Sequence, residues 1–250
     1  MSPALPTAVL VHGAFTDGAN WLGVIDELQR DGVSVVAVAN PLRGLTADAA
    51  YVASRVAQID GPVVLVGHAY GGAVVTVAGT ARNVVALVHV AAYIPAEGET
   101  LAALRDRFPP PAPPGDLRRW TYPGGDGEAA TEVSVAAEAF HATVAADVSP
   151  AVARALAATQ RPLAAAALTE PVPAAAWRTR PCWALVAGAD RVIHPGLVRF
   201  GAERAGAVTV ELADASHAVT VSRPAAVAAL ILEAVHAAAA PERTRGTSRA

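Results

Sequence analysis

Six short apolar runs punctuate the chain: "TAVLVHG" (7–13), "VSVVAVAN" (33–40), "PVVLVGH" (62–68), "VVALVHVAA" (84–92), "PCWALVAG" (181–188) and "AVTVEL" (207–212). They are continuous in polarity rather than alternating, the pattern of strands covered on both faces. Helical patterns lie between them. Residues 18–30 place Trp21, Val24, Ile25 and Leu28 at i, i+3, i+4 and i+7, and further helices are expected at 47–59, 70–80, near 195–205 and at 223–238. Parallel neighbours need a crossover, and a helix is the usual one. The alternation therefore predicts an α/β fold with a doubly wound, mostly parallel sheet.

One segment breaks the rhythm. Residues 95–177 carry no strand pattern of the core type. "FPPPAPPGD" (108–116) and "YPGGDG" (122–127) read as loops, and "AAEAFHATVAADV" and "PAVARALAATQRPLAAAAL" read as helices. The expectation is a core of residues 1–94 and 178–240, a largely helical cap inserted at 95–177, and a flexible tail at 241–250.

Composition narrows the function. At 53% hydrophobic and 16% charged, the 250-residue chain can bury a sizeable core. Net charge is −3, so no basic face is offered to nucleic acid. All 19 basic residues are arginine, which excludes a lysine Schiff base, a P-loop lysine and a lysine base. The single cysteine, Cys182, excludes an internal disulfide, and no histidine pair has metal-ligand spacing with carboxylate support. No metal or cofactor is expected. The opening "MSPALPTAVLVHG" lacks the n- and h-regions of a signal peptide, and no run is long enough to span a bilayer. A cytoplasmic protein acting on a small apolar molecule is expected, with no membrane partner; a homodimer is left open.

Three motifs follow predicted strands, where open α/β sheets bind ligands. They are "VHGAF" (11–15), "GHAYGG" (67–72), and the pair "AGADR" and "ADASHAV", which supplies Asp190 and His217. "GHAYGG" is the G-x-S-x-G frame of a nucleophile elbow with alanine at the serine position, Ala69. His12, His68 and His89 read as structural, Asp214 is the competitor acid, and the Tyr70 side chain is a minor candidate acid or base.

Together with "ANPLRG", "ATQRP", "GADRVIHP" and "DASHAVTVSRP", these motifs make residues 7–238 resemble a compact, esterase-like α/β-hydrolase with a cap. The order of nucleophile, acid and histidine is that family's. The resemblance implies Ser-His-Asp chemistry, with Ala69 at the nucleophile's place, Asp190 as acid, His217 as base, and the N–H groups of Ala14 and Tyr70 as oxyanion hole. A hydroxynitrile lyase of this fold would carry a lysine after the histidine, where Ala218 stands. A haloalkane dehalogenase would carry aspartate at position 69.

Three readings of Ala69 follow. The chain is an ester hydrolase inactivated by loss of its serine. Or it is a serine-less enzyme whose His217–Asp190 pair is the general base of a cyclisation, elimination or isomerisation, as in secondary metabolism. Or it is a non-catalytic binding protein. Phe15 and Trp21, with Phe108, Trp120, Tyr122 and Phe140 of the cap, suggest a small apolar or aromatic ester or lactone as substrate.

Overall fold

The computed structural model describes residues 5–110, 117–125 and 127–240. The expected tail at 241–250 and most of the proline-rich loop lie outside these residues. Six parallel strands form the main sheet: β1 (Thr7–Val11), β2 (Val35–Val38), β3 (Val63–His68), β4 (Val84–Val90), β8 (Cys182–Ala187) and β9 (Val208–Leu212). Their order is β2-β1-β3-β4-β8-β9. Successive crossovers diverge to either side of β1, so the order switches between β1 and β3. There Val11 pairs with Gly67, and the loops leaving the two strands share one crevice.

Alternate residues of each strand feed two cores. Val9, Val11, Val63, Leu65 and Leu87 face α2 (Leu45–Val56), α3 (Tyr70–Ala78) and the segment between β4 and β8. Leu10, Val64, Val66 and Val88 face α1 (Leu22–Arg30) and the last helix of the described residues (Pro224–Ala239), together with Trp21, Val24, Leu28 and Ile231. The first predicted helix begins as a 3₁₀ turn, Gly18–Trp21, with the Asp17 carboxylate accepting from the Ala19 N–H at 2.8 Å.

The segment between β4 and β8 is not largely helical. It has the short helices α4 (Leu101–Arg105), α5 (Ala137–Thr143) and α6 (Pro150–Thr159). It also has an antiparallel sheet of β5 (Leu117–Pro123), β6 (Ala129–Val135) and β7 (Leu163–Ala164). β5 lies at the surface, β6 is buried only over its last three residues and β7 is two residues long, so none has the continuous apolar run that marks a core strand. Of the "YPGGDG" stretch, Tyr122 and Pro123 end β5, and beyond them the Gly124 N–H donates to the Glu128 carbonyl at 2.7 Å. The helix expected through "ATQRPL" stops at Thr159: Gln160 is extended (φ −56°, ψ 139°), and Pro162 follows within two residues.

Trp21 is fully buried and touches the His68 ring edge-on at 6.1 Å. Trp21→Ala should cost about 3–5 kcal/mol of stability through the cavity it leaves. Urea unfolding measures this; a loss under about 1 kcal/mol would show that the site collapses freely.

Candidate active site

Ala69 is the single residue between β3 and α3, at φ 53° and ψ −121°. Non-glycine residues rarely adopt this conformation, and it persists only when the surroundings hold it. Its N–H donates to the Val90 carbonyl at 3.1 Å, and its own carbonyl accepts from the N–H groups of Gly72 (3.0 Å) and Tyr93 (3.2 Å). The flanking glycines are required by close approach. A Cβ on Gly67 would lie 2.4 Å from the Gly71 carbonyl oxygen, and one on Gly71 would lie 2.4 Å from that of Val11. The elbow is therefore fully built around an alanine.

Asp190 and His217 follow β8 and β9. One Asp190 oxygen accepts from the N–H groups of Val192 (2.7 Å) and Ile193 (3.0 Å); the other accepts from His217 Nδ1 at 2.7 Å. Both side chains are buried. A carboxylate that only accepts fixes the proton on Nδ1 and leaves Nε2 with a free lone pair. Nε2 has no hydrogen-bond partner among the described residues, and His217 and Ala69 line the same cavity. Asp214, the competitor acid, is 81% exposed and paired to Arg223 at 3.0 Å.

The oxyanion loop is pressed onto the elbow: a Cβ on Gly13 would lie 2.6 Å from the Ala69 Cβ and 3.3 Å from the Tyr70 nitrogen. The Phe15 N–H is committed to the Arg161 carbonyl at 2.9 Å. The Tyr70 N–H is one of the unsatisfied donors at the start of α3, on its positive end. Ala14 and Tyr70 both line the cavity. His12 braces this loop. Its Nδ1 donates to the Gly13 carbonyl (2.9 Å) and its Nε2 accepts from the Asn40 N–H (3.1 Å). The Tyr70 hydroxyl donates to the buried Asp48 carboxylate at 2.8 Å. Burial and the neighbouring Asp48 charge raise that phenol well above its ordinary range, so it stays protonated.

His68 lies beneath the pair, its Nε2 donating to the His217 carbonyl at 2.9 Å. Burial, with a smaller contribution from His217, pushes its pKa down to about 3. Burial does the same to His89, to about 3. Both fold neutral, whereas in the unfolded chain a histidine titrates near 6.5. Between those values the unfolded state binds more protons, so stability rises with pH and is lost on acidification. Each histidine contributes about 1.4 kcal/mol per pH unit in that window. Urea midpoints at pH 7 and pH 5 should therefore differ by about 4 kcal/mol in unfolding free energy. Half that difference would mean that one of these rings becomes charged without unfolding, and equal midpoints that both do.

The cavity has a volume of about 630 Å³ and is mainly apolar, with Phe15, Phe108, Val133, Val135, Leu163 and Leu168 on its walls. Of the aromatics singled out in the sequence, Phe15 and Phe108 line the cavity. Four other aromatics do not. Trp21 is sealed under the sheet, because 3.6-residue periodicity turns it inward with Val24 and Leu28. Trp120 is 56% exposed on β5, its indole N–H donating to Ser134 Oγ at 2.8 Å. Tyr122 lies under the Arg43 guanidinium, 4.5 Å from its ring centre. Phe140 reaches only a small neighbouring void that also touches His217. Tyr93, Arg105, Arg191 and Ile193 line the cavity and were missed. Arg191 and Ile193 could have been found, since they share the Asp190 loop; Tyr93 and Arg105 carry no local signal.

The family model described as the alpha/beta hydrolase family matches residues 8–230. No curated protein sequence matches the chain. Among solved structures, polyneuridine aldehyde esterase superposes with a TM-score of 0.79 at 18% identity, covering 92% of this chain and 99% of its own. A pyrethroid hydrolase from Sphingobium faniae gives 0.73 at 20%, covering 94% and 98%. A methylesterase from Arabidopsis gives 0.74 at 17%, covering 93% and 99%. At these identities the likeness shows the fold alone. No helix among the described residues is long and apolar enough to cross a membrane.

Proposed function

The chain belongs to the alpha/beta hydrolase family, and on that premise we propose that its cavity is an ester site lacking only the nucleophile's hydroxyl. The ligand is a small apolar or aromatic carboxylic ester or lactone. The observation that supports this is the Asp190–His217 pair at 2.7 Å, whose histidine lines the same cavity as the elbow residue Ala69. A bound ester would rest its carbonyl oxygen on the N–H groups of Ala14 and Tyr70. One such donor is typically worth about 3–4 kcal/mol once the oxygen becomes an anion. An alanine methyl has no lone pair, so no acyl-enzyme forms. The test is gain of ester turnover in Ala69→Ser.

The free Nε2 lone pair of His217 supports a second reading. A proton on a substrate carbon, a hydroxyl or a bound water passes directly to Nε2, and the Asp190 carboxylate stabilises the imidazolium. Cyclisation, elimination or isomerisation then proceeds with no covalent intermediate. The two readings differ in where His217 matters: in the chain as it stands, or only once a serine is present.

A further inference from the structure

We propose that the substrate carries a carboxylate remote from its ester or lactone group, held at the cavity mouth by Arg105 and Arg191. This rests on the ester-site reading of the same cavity.

Both line the mainly apolar cavity, from separate parts of the chain, and Asp106 lines it beside them. Arg105 ends α4, and Arg191 directly follows Asp190. Both are exposed, so they stand at the mouth rather than at the base. Arg43, Arg199 and Arg204 form close ion pairs, with Glu132 at 2.5 Å, Glu211 at 2.6 Å and Glu99 at 2.8 Å. Among the described residues Arg105 and Arg191, like Arg55, Arg82 and Arg154, form none so close; what sets the two apart is that they line the cavity. Arg191 has only the Ala142 carbonyl, at 3.5 Å, and no carboxylate partner among the described residues. Arg105 touches Asp106 at 4.0 Å, with the Asp106 side chain 74% exposed, a geometry that binds weakly. Among the described residues, two guanidiniums stand against the one carboxylate of Asp106 at this rim.

Tyr93 lines the same cavity. Burial raises its pKa, with Arg105 opposing and Asp190 adding to the rise, to about 12, so it stays a neutral hydrogen-bond donor. A guanidinium fork suits a carboxylate, and an apolar floor suits the chain or ring between that carboxylate and the reacting carbonyl.

The test compares mono-4-nitrophenyl adipate with 4-nitrophenyl hexanoate, equal in chain length but differing in charge. In Ala69→Ser at low salt, kcat/KM should favour the acid ester by about tenfold, the usual scale of a hydrogen bond to a charged group. Arg105→Gln and Arg191→Gln should each lower that ratio several-fold, and added salt should erode it. In parallel, the corresponding 4-nitroanilides are bound to the chain carrying Ala69, and the acid should bind about tenfold tighter. Hydrolysis of both esters with a ratio near one overturns the anionic site and leaves the ester site standing. An inert Ala69→Ser with tighter, arginine-dependent binding of the acid upholds the anionic site and overturns the ester reading. Equal binding of the two anilides overturns the anionic site.

Discussion

Ala69→Ser should convert the chain into an enzyme that hydrolyses short 4-nitrophenyl esters and is labelled stoichiometrically by a fluorophosphonate. The physical ground is that the substitution adds one oxygen to a site already shaped for it. The backbone at position 69 sits at φ 53° and ψ −121°, held by hydrogen bonds to Val90, Gly72 and Tyr93. None of these uses the side chain, so the strain is met whichever residue occupies the elbow. The new hydroxyl would enter the cavity that His217 also lines, and His217 Nε2 is free to take its proton. Intact-mass measurement should show one adduct in Ala69→Ser and none in the chain as it stands. A folded Ala69→Ser that is inert across acyl lengths would remove the ester reading and leave direct proton abstraction by His217. An adduct on the parent chain would mean that the nucleophile lies elsewhere.

The second large effect is expected at the Asp190–His217 pair. In the Ala69→Ser background, His217→Ala should abolish most turnover, and Asp190→Asn should cost up to about 10⁴-fold. The asparagine amide has one acceptor where the carboxylate has two. Turned one way, it offers N–H to His217 and moves the proton to Nε2; turned the other, it opposes the N–H groups of Val192 and Ile193. In the parent chain the same substitutions should leave ester turnover at background, because triad members act as a unit. If the parent turns over a substrate of its own and His217→Ala removes that activity while binding is retained, the serine-less reading holds. Substitutions silent in both backgrounds, with ligand affinity intact, would make the pair structural and the protein a binding module.

The parallel sheet was legible in the sequence because a strand buried on both faces must be apolar throughout, and "VVLVG" or "CWALVA" admits little else. The elbow was legible because close approach leaves no room for a Cβ at Gly67 or Gly71, a demand written in residue type. Asp190 and His217 were found because the ends of consecutive strands bring their loops to one edge of the sheet. The hairpin of β5 and β6 was not legible: a surface strand such as "LRRWTYP" is mixed in polarity, and only its pairing with Ala129–Val135 makes it a strand. Nor were the cavity walls. Trp21, Trp120 and Tyr122 are as aromatic as Phe15 and Phe108, but which of them meets the cavity depends on how elements far apart in sequence pack. Local sequence determined the sheet, its elbow and the pair of titratable groups above it, because those are set by polarity period and by space for a Cβ. Tertiary packing alone decided what the site can hold, because a cavity is the space left between side chains that no local pattern relates.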